Sequence, residues 1–166
     1  MDSERPTLMA ERIDAEATVP LRSRVLRPGY PLDDSRFPGD DDALTFHAGA
    51  VLDGCVVSIA SMYLESRAAD TPAGGAPRAA DHDTGTAWRL RGMATEPGLR
   101  GSGAGRIALD ACLAHVRAHG GTLAWCNARI GAVGFYERLG WDVIGSEFEI
   151  PTVGPHVVME RRLDRD

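Results

Sequence analysis

Met93-Ala-Thr-Glu-Pro-Gly-Leu-Arg-Gly-Ser-Gly-Ala-Gly105 is the stretch on which the reading of this 166-residue chain turns. It follows a strand-like run, Thr86 to Met93, and opens a helical one, Arg106 to His119. Arg100-Gly-Ser-Gly-Ala-Gly105 places glycine at every second residue. Such a loop has few Cβ atoms to hold a ligand away from the main chain. The helix that follows begins with N–H groups lacking intrahelical acceptors and with the positive end of its dipole. Together these make an anion site, most naturally for phosphate. A strand-to-helix turn that merely tolerates glycine is the plain alternative. A Walker loop needs Lys and then Ser or Thr after its last glycine, and the chain contains no lysine. A dinucleotide fingerprint needs two residues between its second and third glycines, near the chain start. Here one residue separates them, past the midpoint.

The length suggests a single domain, residues 1–166, with a workable core. A composition of 43% hydrophobic and 25% charged residues fits a soluble globular protein. The net charge of -6 argues against a nucleic-acid partner and mildly favours cationic small substrates. No apolar run approaches a membrane span, and Met1-Asp-Ser-Glu-Arg5 does not read as a signal peptide, so no membrane partner is expected. Cys55, Cys112 and Cys126 are odd in number and scattered through core-like segments, as free thiols in a reducing cytoplasm would be. The Cys and His spacings offer no zinc site, and no metal is expected. All eighteen basic side chains are arginine, which reads as the coding bias of a GC-rich, bacterial genome.

Taken in order, residues 1–7 read as a disordered tail and Leu8–Ile13 as a strand. Pro20 sits where a first helical turn begins, with Leu21 and Val25 one turn apart, and Pro28-Gly29 stops that helix. Pro31 to Asp42 is a loop suited to shaping a substrate mouth. Ala43–Val51 and Cys55–Tyr63 read as strands joined at Asp53-Gly54, a hairpin signal. Residues 66–85 have almost nothing to bury and read as a mobile surface loop. Trp88 and Leu90 alternate with Arg89 and Arg91, and Gly92 then marks a bulge or a close backbone approach. Leu109, Cys112, Leu113 and Val116 share one helical face, opposite Arg106, Asp110 and Arg117, until Gly120-Gly121 ends the helix. Thr122–Asn127 reads as a buried strand parallel to the central one, which makes a right-handed βαβ unit. A second helix, Ala128 to Leu139, puts Ala132, Phe135, Tyr136 and Leu139 on one side. Gly131 and Gly134 cost it about 1 kcal/mol each relative to alanine, which implies a neighbour packed close to its backbone. Trp141–Ile150 and His156–Leu163 close the chain as an antiparallel pair. The fold class is mixed α/β.

Thr95-Glu-Pro-Gly-Leu-Arg-Gly-Ser-Gly-Ala-Gly105 resembles the acetyl-CoA motif of GNAT-type N-acetyltransferases, Val-x-Pro-x-x-Arg-Gly-x-Gly-x-Gly. Asn127-Ala-Arg and Ala132-Val-Gly-Phe-Tyr-Glu-Arg-Leu-Gly-Trp141 are similar to the family's second motif, Asn…Ala…Phe-Tyr-Glu-Lys-Leu-Gly-Phe. Gly154-Pro-His-Val-Val-Met-Glu160 is similar to the last strand of many bacterial members. The match spans residues 86–163, with Thr95 standing where the family has Val. It implies a single-domain, strongly twisted mixed sheet with flanking helices. The two central parallel strands part in such a sheet, and acetyl-CoA enters as a pseudo-strand.

The resemblance also implies roles. Main-chain N–H groups of Arg100, Gly101, Ser102, Gly103, Ala104, Gly105 and Arg106 would hold the CoA pyrophosphate, and the Arg100 side chain adds a contact or braces the loop. Main-chain groups across Met93, Ala94 and Thr95, those of Met93 and Thr95 above all, would bond the pantetheine amides, and one N–H would polarise the thioester carbonyl. The Asn127 amide bonds pantetheine or a ligand water, or else caps a turn. Tyr136 is the general-acid candidate, protonating the departing thiolate. The base stays open among Glu65, Glu96, Glu147, Glu149, His47 and His156, with Glu149 and His156 favoured by the final hairpin. Cys126 as a nucleophile has no His or acid placed beside it by sequence. The function expected is acetyl transfer from acetyl-CoA to a primary amine of a small molecule or peptide, by direct attack in a ternary complex. A homodimer is a candidate assembly. The rivals are a catalytically silent acyl-CoA sensor and a phosphate-binding protein unrelated to CoA.

Overall fold

In a computed structural model of the chain, which describes residues 6–67 and 87–163, seven strands form a mixed sheet in the order β1-β2-β3-β4-β5-β7-β6. The strands are β1 (Met9–Ile13), β2 (Phe46–Leu52), β3 (Cys55–Leu64), β4 (Ala87–Thr95), β5 (Leu123–Arg129), β6 (Asp142–Ile150) and β7 (Gly154–Arg162). The helices are α1 (Ala15–Leu21), α2 (Ala104–Ala118) and α3 (Val133–Arg138). The mixed α/β class expected from the sequence is therefore what the chain adopts. Residues 1–5 of the expected tail and 68–85 of the expected loop lie outside the described residues. The chain forms two compact units. One gathers the described residues up to Tyr63 with Gly92–His115, the other those from Leu64 to Arg91 and from Val116 onward.

In the first unit β1 pairs with β2, and β2 with β3, all antiparallel. Asp53 and Gly54 both take positive φ, 51° and 79°, as the two-residue hairpin turn requires. The first helix differs from expectation. It starts at Ala15, where the Asp14 side chain accepts from the Ala17 N–H at 2.8 Å, and Pro20 lies inside it instead of at its start. Asp14 supplies the cap and Glu16 a favourable first-turn charge, both stronger start signals than a proline. Past Pro20 the helix widens into a π turn over Arg22–Leu26, closed by the Arg27 N–H donating to Arg22 O at 3.0 Å.

That π turn buries Arg22 completely. Its guanidinium forks onto Asp40, with Nη1 at 2.6 Å and Nη2 at 3.1 Å. It also donates to Ser35 O at 3.1 Å, Ser61 Oγ at 2.9 Å and Tyr63 Oη at 3.1 Å, and lies 4.0 Å from the centre of the Phe37 ring. Asp40 further accepts from the Tyr63 hydroxyl and from the Phe37 N–H. Gly92 touches this cluster. Its φ is 67°, and a Cβ there would meet Arg22 Nε at 3.1 Å and Phe37 Cε2 at 3.3 Å. Of the two readings of Gly92, a bulge or a close backbone approach, the close approach is what the structure shows.

In the second unit β4 and β5 pair in parallel over Ala87–Leu123, Trp88–Ala124 and Arg89–Trp125, and this ladder stops short of Gly92. The closing strands pair as expected, and β7 inserts between β5 and β6. β6 carries a bulge between Ile144 and Phe148, with Gly145 at φ 75°. Arg67 and Glu160, both nearly buried, form an ion pair at 2.9 Å. α2 ends as expected, with Gly120 at φ 73° and the Gly121 N–H donating to Val116 O at 2.9 Å. The second expected helix is shorter. A 3-10 turn, Ile130–Ala132, precedes α3, and a Cβ at Gly131 would meet nothing within 4 Å. At Gly134 it would meet only the far end of Arg138, at 3.6 Å. The close neighbour expected at those glycines is absent among the described residues. They shorten the helix by lowering its propensity.

Burial alone would raise the Asp40 carboxyl, but hydrogen bonds from Arg22, Tyr63 and the Phe37 N–H outweigh it and hold the group below its ordinary value. A depressed carboxylate stabilises the fold above its unfolded pKa and loses that contribution as pH falls through the folded one. Thermal melts should therefore show stability declining from about pH 4 downward. Asp40→Asn should flatten that acid limb while costing about 3–5 kcal/mol at neutral pH, because it leaves a buried cation unpaired.

Candidate active site

β4 feeds the glycine-rich loop with one main-chain edge committed and the other turned away. The Glu96 N–H donates to Val57 O at 2.8 Å, and Ala94 O accepts from Ser58 Oγ at 3.2 Å. Successive residues of a strand present their N–H and C=O to opposite edges. Met93 and Thr95 thus turn theirs away from β3. The Thr95 hydroxyl is itself tied to Ser58 Oγ at 2.7 Å and so stitches β4 to β3.

A 3-10 turn over Pro97–Leu99 leads into Arg100–Gly103, all exposed. Ser102 folds the loop on itself, donating from Oγ to Leu99 O at 2.5 Å and accepting from the Ala104 N–H at 3.4 Å. Gly101 and Gly103 take φ of 81° and 89°, and nothing of the chain lies within 4 Å of a Cβ built on either. Ala104, buried against Ala50 and Val57, seats the first turn of α2. Gly105 and Arg106 follow inside that helix, whose first turn carries no acidic residue to offset the positive end of its dipole. The loop thus combines open space, left-handed glycines and an unneutralised helix start. This fits a diphosphate.

In the second unit Asn127 stands on β5 opposite Val158, and its Oδ1 is buried without a hydrogen-bond partner. A native buried acceptor left alone is costly, and a ligand N–H would complete it. Tyr136, on α3, packs between Phe135 and Trp141, with ring centres 5.2 and 5.3 Å away. Burial first, and then the neighbouring Cys126, push its phenol well above the ordinary value, so it stays protonated at neutral pH. His156 on β7 is buried, and its Nδ1 lies 2.7 Å from Gly154 O. A carbonyl can only accept, so Nδ1 carries a proton, and Nε2 is the nitrogen left to hold a lone pair or a second proton. Glu149 and Glu147 lie exposed on β6.

The remaining base candidates are engaged elsewhere. His47 is buried, with Nδ1 at 2.7 Å from Ser61 Oγ and Nε2 at 2.9 Å from Asp40 O. Glu96 pairs with Arg24 at 2.5 Å and Glu65 with Arg89 at 3.2 Å. Cys126 is buried and its thiol is pushed up by burial to about 12, too high for a nucleophile at neutral pH. The loop before β2 helps line an open concavity of about 480 Å³ within the first unit, where Asp14, Asp40, Asp41, Asp42 and His47 meet. Sequence reasoning marked that loop as a mouth but missed Asp40 and Arg22, the latter with partners 13 to 41 residues away. A buried arginine has no local sequence signature.

With this geometry in place, four likenesses to known families and proteins bear on it. Residues 11–141 match the model of the Acetyltransferase (GNAT) family. The chain is 35% identical over 156 residues to an uncharacterized N-acetyltransferase of Bacillus subtilis (strain 168), YitI, covering 94% of this chain and 97% of that one. Among solved structures it resembles the ribosomal-protein-S18-alanine N-acetyltransferase from Escherichia coli, with a TM-score of 0.70, 13% identity and 96% of each chain covered. It also resembles an aminoglycoside 6'-N-acetyltransferase complexed with coenzyme A, with a TM-score of 0.68 and 13% identity over 95% of this chain and 99% of that one. At such identities the two structures speak for the fold alone.

Two expected outcomes follow from the site's geometry. A thiol reagent should titrate Cys55, which is exposed, in the native protein, and Cys112 and Cys126 only after unfolding. Gly103→Ala has room for its Cβ, so its cost in a urea melt should be the left-handed strain alone, about 1–2 kcal/mol.

Proposed function

Since the chain belongs to the GNAT acetyltransferase family, we propose that it transfers acetyl from acetyl-CoA directly to a primary amine, with Tyr136 as general acid and His156 as base. The observation that carries this reading is the Gly101–Gly103 loop, left-handed and open, running into the start of α2. Bound acetyl-CoA supplies a thioester that an amine can attack. N–H groups from Arg100 to Arg106 hold its diphosphate, and Met93 and Thr95 offer main-chain bonds to its amide arm. Asn127 Oδ1 accepts from an amide N–H. Tyr136 keeps a proton on its hydroxyl for the sulfur that leaves. His156 is favoured over Glu149 because Gly154 O fixes its tautomer, leaving Nε2 to take the amine's proton. The buried, high-pKa Cys126 supports attack without a covalent enzyme intermediate. The net charge of -6 and the acidic concavity favour a cationic acceptor, such as a polyamine, an aminoglycoside-like molecule or a peptide amine.

Calorimetric titration with acetyl-CoA, with adenosine diphosphate and desulfo-CoA as controls, tests the cofactor assignment. Tight binding that needs the pantetheine arm is expected, and no binding at all would remove it. Gly103→Val should abolish that binding and leave the protein folded. Tyr136→Phe should lower kcat by about 10²- to 10⁴-fold with little change in acetyl-CoA affinity. Equal turnover would strip Tyr136 of the acid role.

A further inference from the structure

Arg22 sits against the one left-handed residue of β4. Glycine populates positive and negative φ about equally, so nothing intrinsic to Gly92 keeps it at 67°. Its neighbours must select that conformation. Two of them flank the Cβ position, Arg22 Nε at 3.1 Å and Phe37 Cε2 at 3.3 Å. Both are held. The two terminal nitrogens of Arg22 are bound to Asp40, Ser35, Ser61 and Tyr63, and the guanidinium stacks on Phe37. The remaining nitrogen, Nε, is buried without a hydrogen-bond partner. An orphaned buried N–H in an otherwise saturated cluster calls for a functional or strain account. The other contacts have dictated where the guanidinium lies, and it lies against Gly92.

We propose that Arg22, with the Phe37 ring, is a positioning residue for acyl transfer. It clamps Gly92 in the left-handed state and so fixes the direction of the Met93 N–H. This rests on the acetyl-CoA reading above. With Gly92 held, Met93 turns its main-chain donor away from β3 in a single orientation. A fixed donor aimed at a thioester oxygen needs no reorganisation as charge develops there. With Gly92 free to change sign in φ, the same donor would be spread over several directions. Lysine cannot replace arginine here, because an ammonium has neither the planar fork nor the stacking face.

The test compares affinities for acetyl-CoA and CoA by calorimetry in the wild type, Arg22→Lys and Phe37→Leu. It adds the bound carbonyl stretch of acetyl-CoA labelled with ¹³C at the acetyl carbonyl. The wild type should prefer acetyl-CoA by about three- to tenfold, the worth of one hydrogen bond, and shift the stretch to lower frequency. Both variants should bind CoA within about twofold of wild type, and lose the acetyl preference and the shift. Phe37 is only half-buried and its loss leaves the Arg22–Asp40 pair intact, so Phe37→Leu decides the matter if Arg22→Lys fails to fold. A folded variant with an undiminished preference and stretch overturns the clamp. CoA binding without any acetyl preference in the wild type also overturns it and leaves the family reading standing. No CoA binding in the wild type overturns both.

Discussion

A guanidinium taken out of water must be neutralised and hydrogen-bonded in full, or its desolvation outweighs any packing gain. Arg22 meets that demand at its two terminal nitrogens, with one carboxylate, one carbonyl and two hydroxyls, and only Nε is left without a partner. The partners come from two parts of the first unit. Ser35 and Asp40 belong to the long loop, while Ser61 and Tyr63 belong to β3. His47 joins through Ser61 and the Asp40 carbonyl and so ties in β2. The pair therefore does for the irregular stretch between α1 and β2 what a hydrophobic face does for α2. It gives a segment with little apolar surface one way to lie. Satisfying it also forces the π turn, the burial of Asp40 and the glycine at position 92.

The second unit repeats the device with other residues. Arg67 pairs with Glu160, and Arg89 reaches Glu65 while lying 5.0 Å from the Trp125 ring centre. Trp125 in turn donates from Nε1 to Glu65 O at 2.9 Å. The planar, weakly hydrated arginine head suits buried pairing in a way that lysine does not. In a chain without lysine, the enzyme's own side chains offer no ε-amine to the acyl donor.

Much of this was legible because local physics and tertiary packing agreed. The face of Leu109, Cys112, Leu113 and Val116 is fully buried, as its 3.6-residue spacing demands. The Asp53-Gly54 turn and the glycine loop follow from backbone sterics, which a sequence states directly. Spacing put Phe135 and Tyr136 on one side of a helix, but a role for Tyr136 came only through family resemblance. What stayed hidden were contacts between residues distant in the chain. Arg22 and Asp40 each look like an ordinary surface charge until the fold brings them together. α1 was misplaced because Pro20 drew attention from Asp14, the stronger cap. Gly131 and Gly134 were read as signs of a packed neighbour when they mark only a weak helix. The base was open in sequence because six side chains had suitable chemistry.

The bulge in β6 has a consequence for the protein in crowded solution. β6 is the outermost strand on its side of the sheet and nine residues long. A straight row of unpaired amides of that length is a template on which another chain can add a strand. Gly145, in a left-handed kink, breaks the row near its middle, and the exposed carboxylates of Glu147 and Glu149 follow at once. An incoming strand would have to cross a change of register and then meet like charge if it were a second copy. The acids that sequence reading considered for chemistry thus also guard the sheet against amyloid-like growth.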